Sequence, residues 1–200
     1  MSVKIGRPKT VSDEEILRIA RRCFIEQGAS LSAAGIASLV GVSHTTLFNR
    51  FGSKRGIILA ALAPPDASGW IGTLENGPDQ RSIRDQLVDL GIVMSAYFEE
   101  LQLRLNALQG AGIAPEEAFK DRPEASGPAA AFRALTSWLE QARNEGRLGL
   151  VDTSVLATTI LTAFQNRAFA ATVCCEAVTP DAGDVYVTQF FNLIWKGIAP

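Results

Sequence analysis

Apolar residues recur every three or four positions along most of this 200-residue chain, which is the period of amphipathic helices. The longest stripe covers about seven turns between residues 81 and 109, and further stripes predict helices at 129–145 and 153–172 and a last one through Trp195. No run alternates apolar and polar β-branched residues as strands do. The pattern therefore predicts an all-α fold of about nine helices.

The N-terminal region is punctuated by short helices and turns. Ser12 begins a capping box at the start of the first helix, and short helices are predicted at about 33–39 and 44–50. A further helix starts at Ser53. A Pro- and Gly-rich connection at 64–80, with a short turn of helix around Trp70, then separates this region from the longer helices.

The charge distribution divides the chain at the same place. Residues 1–62 carry nine basic and four acidic side chains, a net charge of +5, whereas residues 63–200 carry ten basic and seventeen acidic ones, a net charge of −7. A basic third joined to an acidic body is typical of a nucleic-acid-binding domain fused to a body with another role. Chance clustering of charge is the alternative.

The composition argues against a membrane protein, a secreted protein, a disulfide-bonded protein and an enzyme. The apolar segments are too short or too interrupted for a transmembrane helix or a signal peptide, and three cysteines, two of them adjacent, make no disulfide framework. The single histidine, His44, and the absence of a phosphate-binding loop leave nothing that argues for catalysis. We therefore expect a cytoplasmic protein with no catalytic residues, no metal, no cofactor and no membrane partner.

One motif points to a function. A small residue, Ala37, suits the crossing of two short helices, Gly41 suits a turn that needs a positive φ, and Ser43 suits the cap of the second helix. This spacing predicts a helix-turn-helix, whose second helix enters the major groove of DNA. The residues of the pattern are Ile36, Ala37, Gly41, Val42, Ser43 and Leu47.

Residues 12–62, and above all the segment from Gly41 to Lys54, resemble the DNA-binding domain of the TetR family of bacterial repressors. The resemblance implies a helical homodimer that binds palindromic operators and releases them when a small molecule enters the C-terminal domain. It also implies that Lys54 contacts phosphate. Phe48 departs from the tyrosine usual in the family, and Ala34 and Gly35 replace polar residues, which removes potential DNA contacts.

Helix geometry selects the candidate base contacts. If Leu47 faces the core, Thr45 and Asn49 lie about 200° away from it on the outer face. The N-terminal arm is predicted to enter the minor groove, and the helix ends capped by serine to hold phosphates. His44 is alternatively a solvated residue of the first turn. The predicted DNA-binding residues are Arg7, Lys9, Ser32, Ser43, His44, Thr45, Thr46, Phe48, Asn49, Arg50 and Lys54.

The longer helices supply a candidate ligand pocket. Their bulky apolar residues predict a cavity for a small, largely apolar effector, oriented by a few polar groups. Ordinary core packing is the alternative for the same stripe. The predicted pocket residues are Met94, Tyr97, Phe98, Leu101, Trp138, Phe164 and Gln165.

The last two helices are apolar on more than one face, which favours a subunit interface. The predicted interface residues are Phe190, Phe191 and Ile194. A well-covered internal core is the alternative.

Together these features predict a DNA-binding transcriptional regulator with a domain at 1–62 that binds double-stranded DNA and a helical domain at 63–200 that binds an effector and forms the homodimer. The operator is expected to be near-palindromic, and the effector to release the repressor from it. A helical ligand-binding protein or enzyme with an incidental helix-turn-helix is the alternative. The acidic body argues against an architectural DNA-binding protein.

Overall fold

The computed structural model of the chain describes residues 11–28, 31–120, 127–173 and 183–200. Within these ranges every regular element is helical and no strand occurs, so the all-α prediction is confirmed. The α-helices of these ranges are α1 (Asp13–Gln27), α2 (Ala33–Val40), α3 (His44–Phe51), α4 (Lys54–Ala61), α5 (Ser68–Glu75), α6 (Ile83–Gly110), α7 (Pro128–Asn144), α8 (Thr153–Val173) and α9 (Gly183–Ile198). A 3-10 turn covers Pro115–Phe119.

The segment at 64–80 holds more helix than the sequence predicted. A short turn near Trp70 was expected, and the structure places the eight-residue helix α5 there. Trp70, Ile71 and Leu74 form its buried face, and the Asp66 carboxylate accepts hydrogen bonds from the backbone N–H and the hydroxyl of Ser68 at its start. Burial of this face outweighs the local preference of glycine for turns.

The described residues form two compact units. The N-terminal unit contains the described residues up to Pro64 together with Arg104–Lys120, and the second unit contains Pro65–Leu103 with the described residues from Gly127 onwards. Helix α6 thus contributes its first part to the second unit and its last residues to the N-terminal unit. The functional boundary at residue 62 stays a prediction.

The core of the N-terminal unit is built by the apolar faces of α1 to α4 and by the end of α6. Ile16, Phe24 and Leu47 are completely or almost completely buried, and Leu108 and Ile113 belong to the same apolar cluster. The spacing of these residues places them on one face of each helix.

Two arginines of this unit donate to the end of α4. Arg21 Nε donates to the Ala61 carbonyl over 2.8 Å, and the buried guanidinium of Arg104 donates to the Ala63 carbonyl. A cation beside the carbonyls that end a helix is stabilising, because those carbonyls carry the negative end of the helix dipole.

The second unit packs α5, the first part of α6, α7, α8 and α9 around one apolar core. Leu87, Met94 and Leu135 are completely buried in it. Gly91 on α6 lies so close to α9 that an added Cβ would stand 2.6 Å from the Phe191 ring and 2.7 Å from the Val187 side chain. Among the described residues, no helix has the combination of length and apolar character that a membrane span requires.

Candidate nucleic-acid interface

Three serines cap the short helices of the N-terminal unit. The hydroxyls of Ser32, Ser43 and Ser53 each accept a hydrogen bond of 3.0 Å from the backbone N–H three residues further along the chain. Each cap satisfies one of the four amide groups that a helix N-terminus leaves without an intrahelical partner. The predicted capping by Ser32 and Ser43 is observed, and their contact with phosphate stays a prediction.

The turn between α2 and α3 adopts the geometry that its glycine predicts. Gly41 has φ 78° and ψ 28°, the left-handed region, and its N–H donates to the Ala37 carbonyl over 3.0 Å. The Val42 N–H donates to the same carbonyl. An L-residue with a Cβ rarely adopts this conformation, so glycine ends α2 and sets the direction of α3.

Helix α3 has one buried and one open face. Leu47 is completely buried, while Thr45 and Asn49 are exposed on the opposite side and His44 is exposed at the start of the helix. Two helical steps in either direction from Leu47 give this result, as the geometry of an eight-residue helix requires. The exposed face therefore offers one imidazole, one hydroxyl and one amide to a partner.

Two of the predicted contact residues are partly occupied within the chain. The Thr46 hydroxyl lies 2.7 Å from the Ser43 hydroxyl, which places Thr46 in the cap of α3. The half-buried ring of Phe48 packs against His44 with 4.4 Å between ring centroids. The contact holds the imidazole at the start of the helix.

Two arginines at and after the end of α3 already have bonding partners within the chain. Arg50 donates to the Val11 carbonyl over 2.7 Å and to the Asp13 carboxylate over 3.0 Å, which ties the end of α3 to the start of α1. Arg55 forms a 2.7 Å ion pair with Glu117 and holds the pKa of that carboxyl below its ordinary value. The predicted contacts Arg7 and Lys9 lie outside the described residues.

Lys54 is the first residue of α4 and is half-buried. Its position beside the N-terminus of the helix adds a positive charge to the positive end of the helix dipole, which would favour an anion there. The ion pair between Arg55 and Glu117 could not be predicted from the sequence pattern, because the two residues are 62 positions apart.

The predicted pocket residues are dispersed through the second unit. Met94, Leu101, Trp138 and Phe164 are buried in cores, and the Gln165 side chain is exposed. Tyr97 and Phe98 are half-buried and pack edge to face. These four buried residues agree with ordinary core packing, which was the alternative to a ligand pocket.

A groove with a volume of about 500 Å³ does occur in the second unit, and Trp138 is part of its lining. The other lining residues include Asp66, Trp70 and Asp79, from the segment at 64–80 that the sequence analysis treated as a connection, and Arg81 at the start of the helix predicted at 81–109. Such residues carry no periodic signal, so the sequence pattern could not identify them.

The predicted interface residues differ in accessibility. Phe191 is completely buried within its own chain, while Phe190 and Ile194 are half-buried. Because α9 turns its Phe191 side inward onto α6, this residue has no surface to present to a partner. The apolar side chains that α9 exposes are Val185 and Leu193, with exposed fractions of 44% and 76%.

Comparison with known proteins supports the interpretation of the helix-turn-helix. Residues 16–61 match the family model described as bacterial regulatory proteins, tetR family. The HTH-type transcriptional repressor AcnR of Corynebacterium glutamicum is 41% identical over 69 residues, which are 34% of this chain and 36% of that protein. The chain thus matches about a third of the length of this relative.

Solved structures extend the likeness to nearly the whole chain. The TetR family transcriptional regulator PfmR from Thermus thermophilus gives a TM-score of 0.64 at 19% identity, covering 90% of this chain and 97% of that one. A transcriptional regulator from Saccharomonospora viridis in complex with choline gives 0.66 at 17% identity, covering 94% and 97%. At such identities these two structures show a common fold. Residues 16–61 thus match the model of the tetR family of bacterial regulatory proteins, and the chain shares the fold of these two solved structures.

Proposed function

We propose that the protein is a transcriptional repressor that binds a specific DNA duplex through α3. The observation that carries this proposal is the open face of α3, where Thr45 and Asn49 stand opposite the buried Leu47 in a segment that matches the tetR family. A helix of this size and polarity fits the major groove, where hydroxyl and amide groups hydrogen-bond base edges.

Phosphate contacts would come from the helix ends beside α3. Helices α2 and α3 begin after Ser32 and Ser43, and the backbone amides of their first turns that the serines do not bond would donate to phosphate. Lys54 adds a positive charge at the start of α4. Arg7 and Lys9 would reach the minor groove. Arg50 would contribute less than a free arginine, because it already bonds Val11 and Asp13.

A homodimer follows from the number of base pairs that one helix reads. A single α3 contacts too few base pairs to select a site in a genome, so two copies would act on a near-palindrome with centres about 34 Å, or a multiple of it, apart. We assign the interface to the outer faces of α8 and α9. Val155, Phe169, Val185 and Leu193 are all large apolar residues that these helices expose.

A small-molecule effector would control the repressor. Two solved proteins of the same fold are in complex with choline and with triclosan, which supports a ligand site in this fold. Helix α6 belongs partly to each unit, and its buried Arg104 donates to a carbonyl at the end of α4. A ligand that displaces α6 would therefore act on the helix that begins with Lys54.

Selection of duplexes from random DNA tests the DNA-binding proposal, followed by affinity measurements on variants. Lys54→Ala should weaken binding to every duplex and lower the salt dependence, whereas Lys120→Ala, an exposed lysine of the same unit, should change neither. Asn49→Ala should change the preferred sequence, and Asn144→Ala on α7 should not. A preference that survives in both Asn49→Ala and Thr45→Ala would assign DNA reading to another surface.

A further inference from the structure

The groove in the second unit has the size and wall composition of a small-molecule site. Its volume of about 500 Å³ is within the range of pockets that enclose drug-sized ligands. Two indole rings, Trp70 of α5 and Trp138 of α7, and the side chain of Leu90 on α6 form apolar lining and are themselves more than nine-tenths buried. This part of the groove suits an apolar ligand body.

The ionisable lining residues are mostly acidic. They are Asp66, Asp79, Asp89 and one basic residue, Arg81, and with Arg147 beside Asp79 the local net charge is −1. Arg81 already bridges two of the carboxylates: its Nη1 lies 2.6 Å from Asp89 and its Nη2 lies 2.9 Å from Asp79. The hydrogen bond from Arg81 lowers the pKa of Asp79, which therefore stays ionised at neutral pH.

The acidic wall is held in place by a polar frame. The buried Gln86 side chain accepts from the Asp79 N–H over 2.8 Å and donates to the Asp79 and Arg81 carbonyls. Arg147 donates to the same two carbonyls over 2.7 and 2.5 Å. These bonds fix the backbone that carries Asp79 and Arg81 in the loop before α6.

Trp70 presents its ring to the groove and not its indole N–H. The ring belongs to the lining, while the nitrogen is buried, has almost no accessible surface and has no hydrogen-bond partner among the described residues. The contribution of Trp70 to a ligand in the groove is therefore the aromatic surface.

We infer that the groove binds a small organic cation, an amine or quaternary ammonium with an apolar body. The cation would lie beside the carboxylates and the indole faces, where the Coulomb attraction and the quadrupole of the rings both favour positive charge. The regulatory meaning of this site rests on the proposed function, and the ligand class replaces the expectation of a largely apolar effector.

An organic anion fits this lining less well. Arg81, the basic residue of the groove, has both carboxylate partners within hydrogen-bond distance, so an anion would have to displace one of them. It would also meet the local net charge of −1. The sign of the ligand charge is therefore the decisive feature of the inference.

Three probes of similar shape test the sign of the charge by isothermal titration calorimetry on the full-length protein. Benzoylcholine carries a quaternary ammonium, a phenyl ring and an ester acceptor, and 3,3-dimethylbutyl benzoate is its neutral isostere. 4-Phenylbutanoate is an apolar anion. We expect benzoylcholine to bind at least about tenfold more tightly than the neutral ester, because the carboxylates of the groove attract its positive charge. The anion should bind more weakly still.

Variants locate the site. Asp89→Asn should weaken benzoylcholine binding about fivefold, while Asp85→Asn, which changes an exposed carboxylate one turn earlier on α6 and outside the lining, should leave it unchanged. Trp70→Phe keeps an aromatic wall but attracts a cation less strongly than indole does, and should weaken binding by about twofold or more. In a Trp195→Phe background the remaining two tryptophans both line the groove, so their fluorescence should respond to the probe.

The inference is overturned if the neutral ester or the anion binds as tightly as benzoylcholine, if no probe binds at millimolar concentration, or if Asp85→Asn and Asp89→Asn behave alike. These outcomes are independent of DNA. If the protein selects a duplex but does not bind the cation, the proposed function stands and the ligand class is wrong. If the protein binds the cation at Asp89 but selects no duplex, the ligand site stands and the repressor function is wrong.

Discussion

The two units of the chain encode their candidate sites in opposite ways. In the N-terminal unit, the residues that shape α2, α3 and the turn between them lie within about twenty positions of one another, and each acts locally: Ser43 caps, Gly41 turns and Leu47 anchors. In the second unit, the groove joins Asp66, Asp79 and Trp138, which come from three separate elements. Local chemistry defines the first site and tertiary packing defines the second.

This contrast explains which site the sequence reveals. A motif whose geometry depends on caps and turns leaves a fixed spacing in the sequence, and the match to the tetR family falls on that segment. A groove formed where helices meet leaves no fixed spacing. The following substitutions separate the two kinds of dependence.

The largest effect is expected in the core beneath α3. Leu47→Ala removes a completely buried side chain and should destabilise the N-terminal unit by about 2–5 kcal/mol, since the cavity adds to the lost burial. Leu39→Ala, on the neighbouring helix, is the matched control: Leu39 is 55% exposed, and its loss should change the free energy of unfolding by less than about 0.5 kcal/mol. Denaturant unfolding followed by circular dichroism measures both. Equal effects would mean that α3 is not anchored through Leu47.

A smaller effect is expected where α6 meets α9. Gly91→Ala places a Cβ within 2.7 Å of two side chains and should destabilise the second unit by about 1–3 kcal/mol through overpacking. Gly72→Ala, in α5, meets nothing within 4 Å and should stabilise it by up to about 1 kcal/mol, because alanine is the better helix former. Thermal unfolding of the two variants should move in opposite directions. A stabilised Gly91→Ala would show that the helices pack less closely.

The turn glycine is expected to give the smallest effect on stability. No atom stands within 4 Å of a Cβ added to Gly41, so Gly41→Ala should cost only the left-handed conformation, about 1–2 kcal/mol. Gly110→Ala, also in open space but without a positive φ, should be neutral or slightly stabilising. The same pair should differ in DNA affinity, because Gly41 sets the direction of α3. Identical melting temperatures for the two variants would contradict the assigned turn.

The fold class and most helix positions could be predicted from the sequence, because the apolar period fixes which face of each helix is buried. The helices expected at 33–39 and 44–50 occur at Ala33–Val40 and His44–Phe51, and the stripe at 81–109 became Ile83–Gly110. The open positions of Thr45 and Asn49 followed from Leu47 alone.

Other features depend on contacts between distant residues and could not be predicted. The pairing of Arg50 with Asp13 spans 37 positions, and Arg104 meets a carbonyl 41 positions away. Phe191 was predicted at a subunit interface because α9 is apolar on several sides, but only packing onto Gly91 decides that this side faces inward. Periodicity identifies apolar faces and does not say what covers them.

The central claim is that the open face of α3 reads a DNA sequence. The most direct test is the ratio of affinities of the wild-type protein for its selected duplex and for a shuffled duplex of equal length, measured at physiological salt. A specific repressor should give a ratio of about 10³ or more, reduced by Asn49→Ala and unaffected by Asn144→Ala. A ratio near one, with equal salt dependence for both duplexes, would contradict the claim.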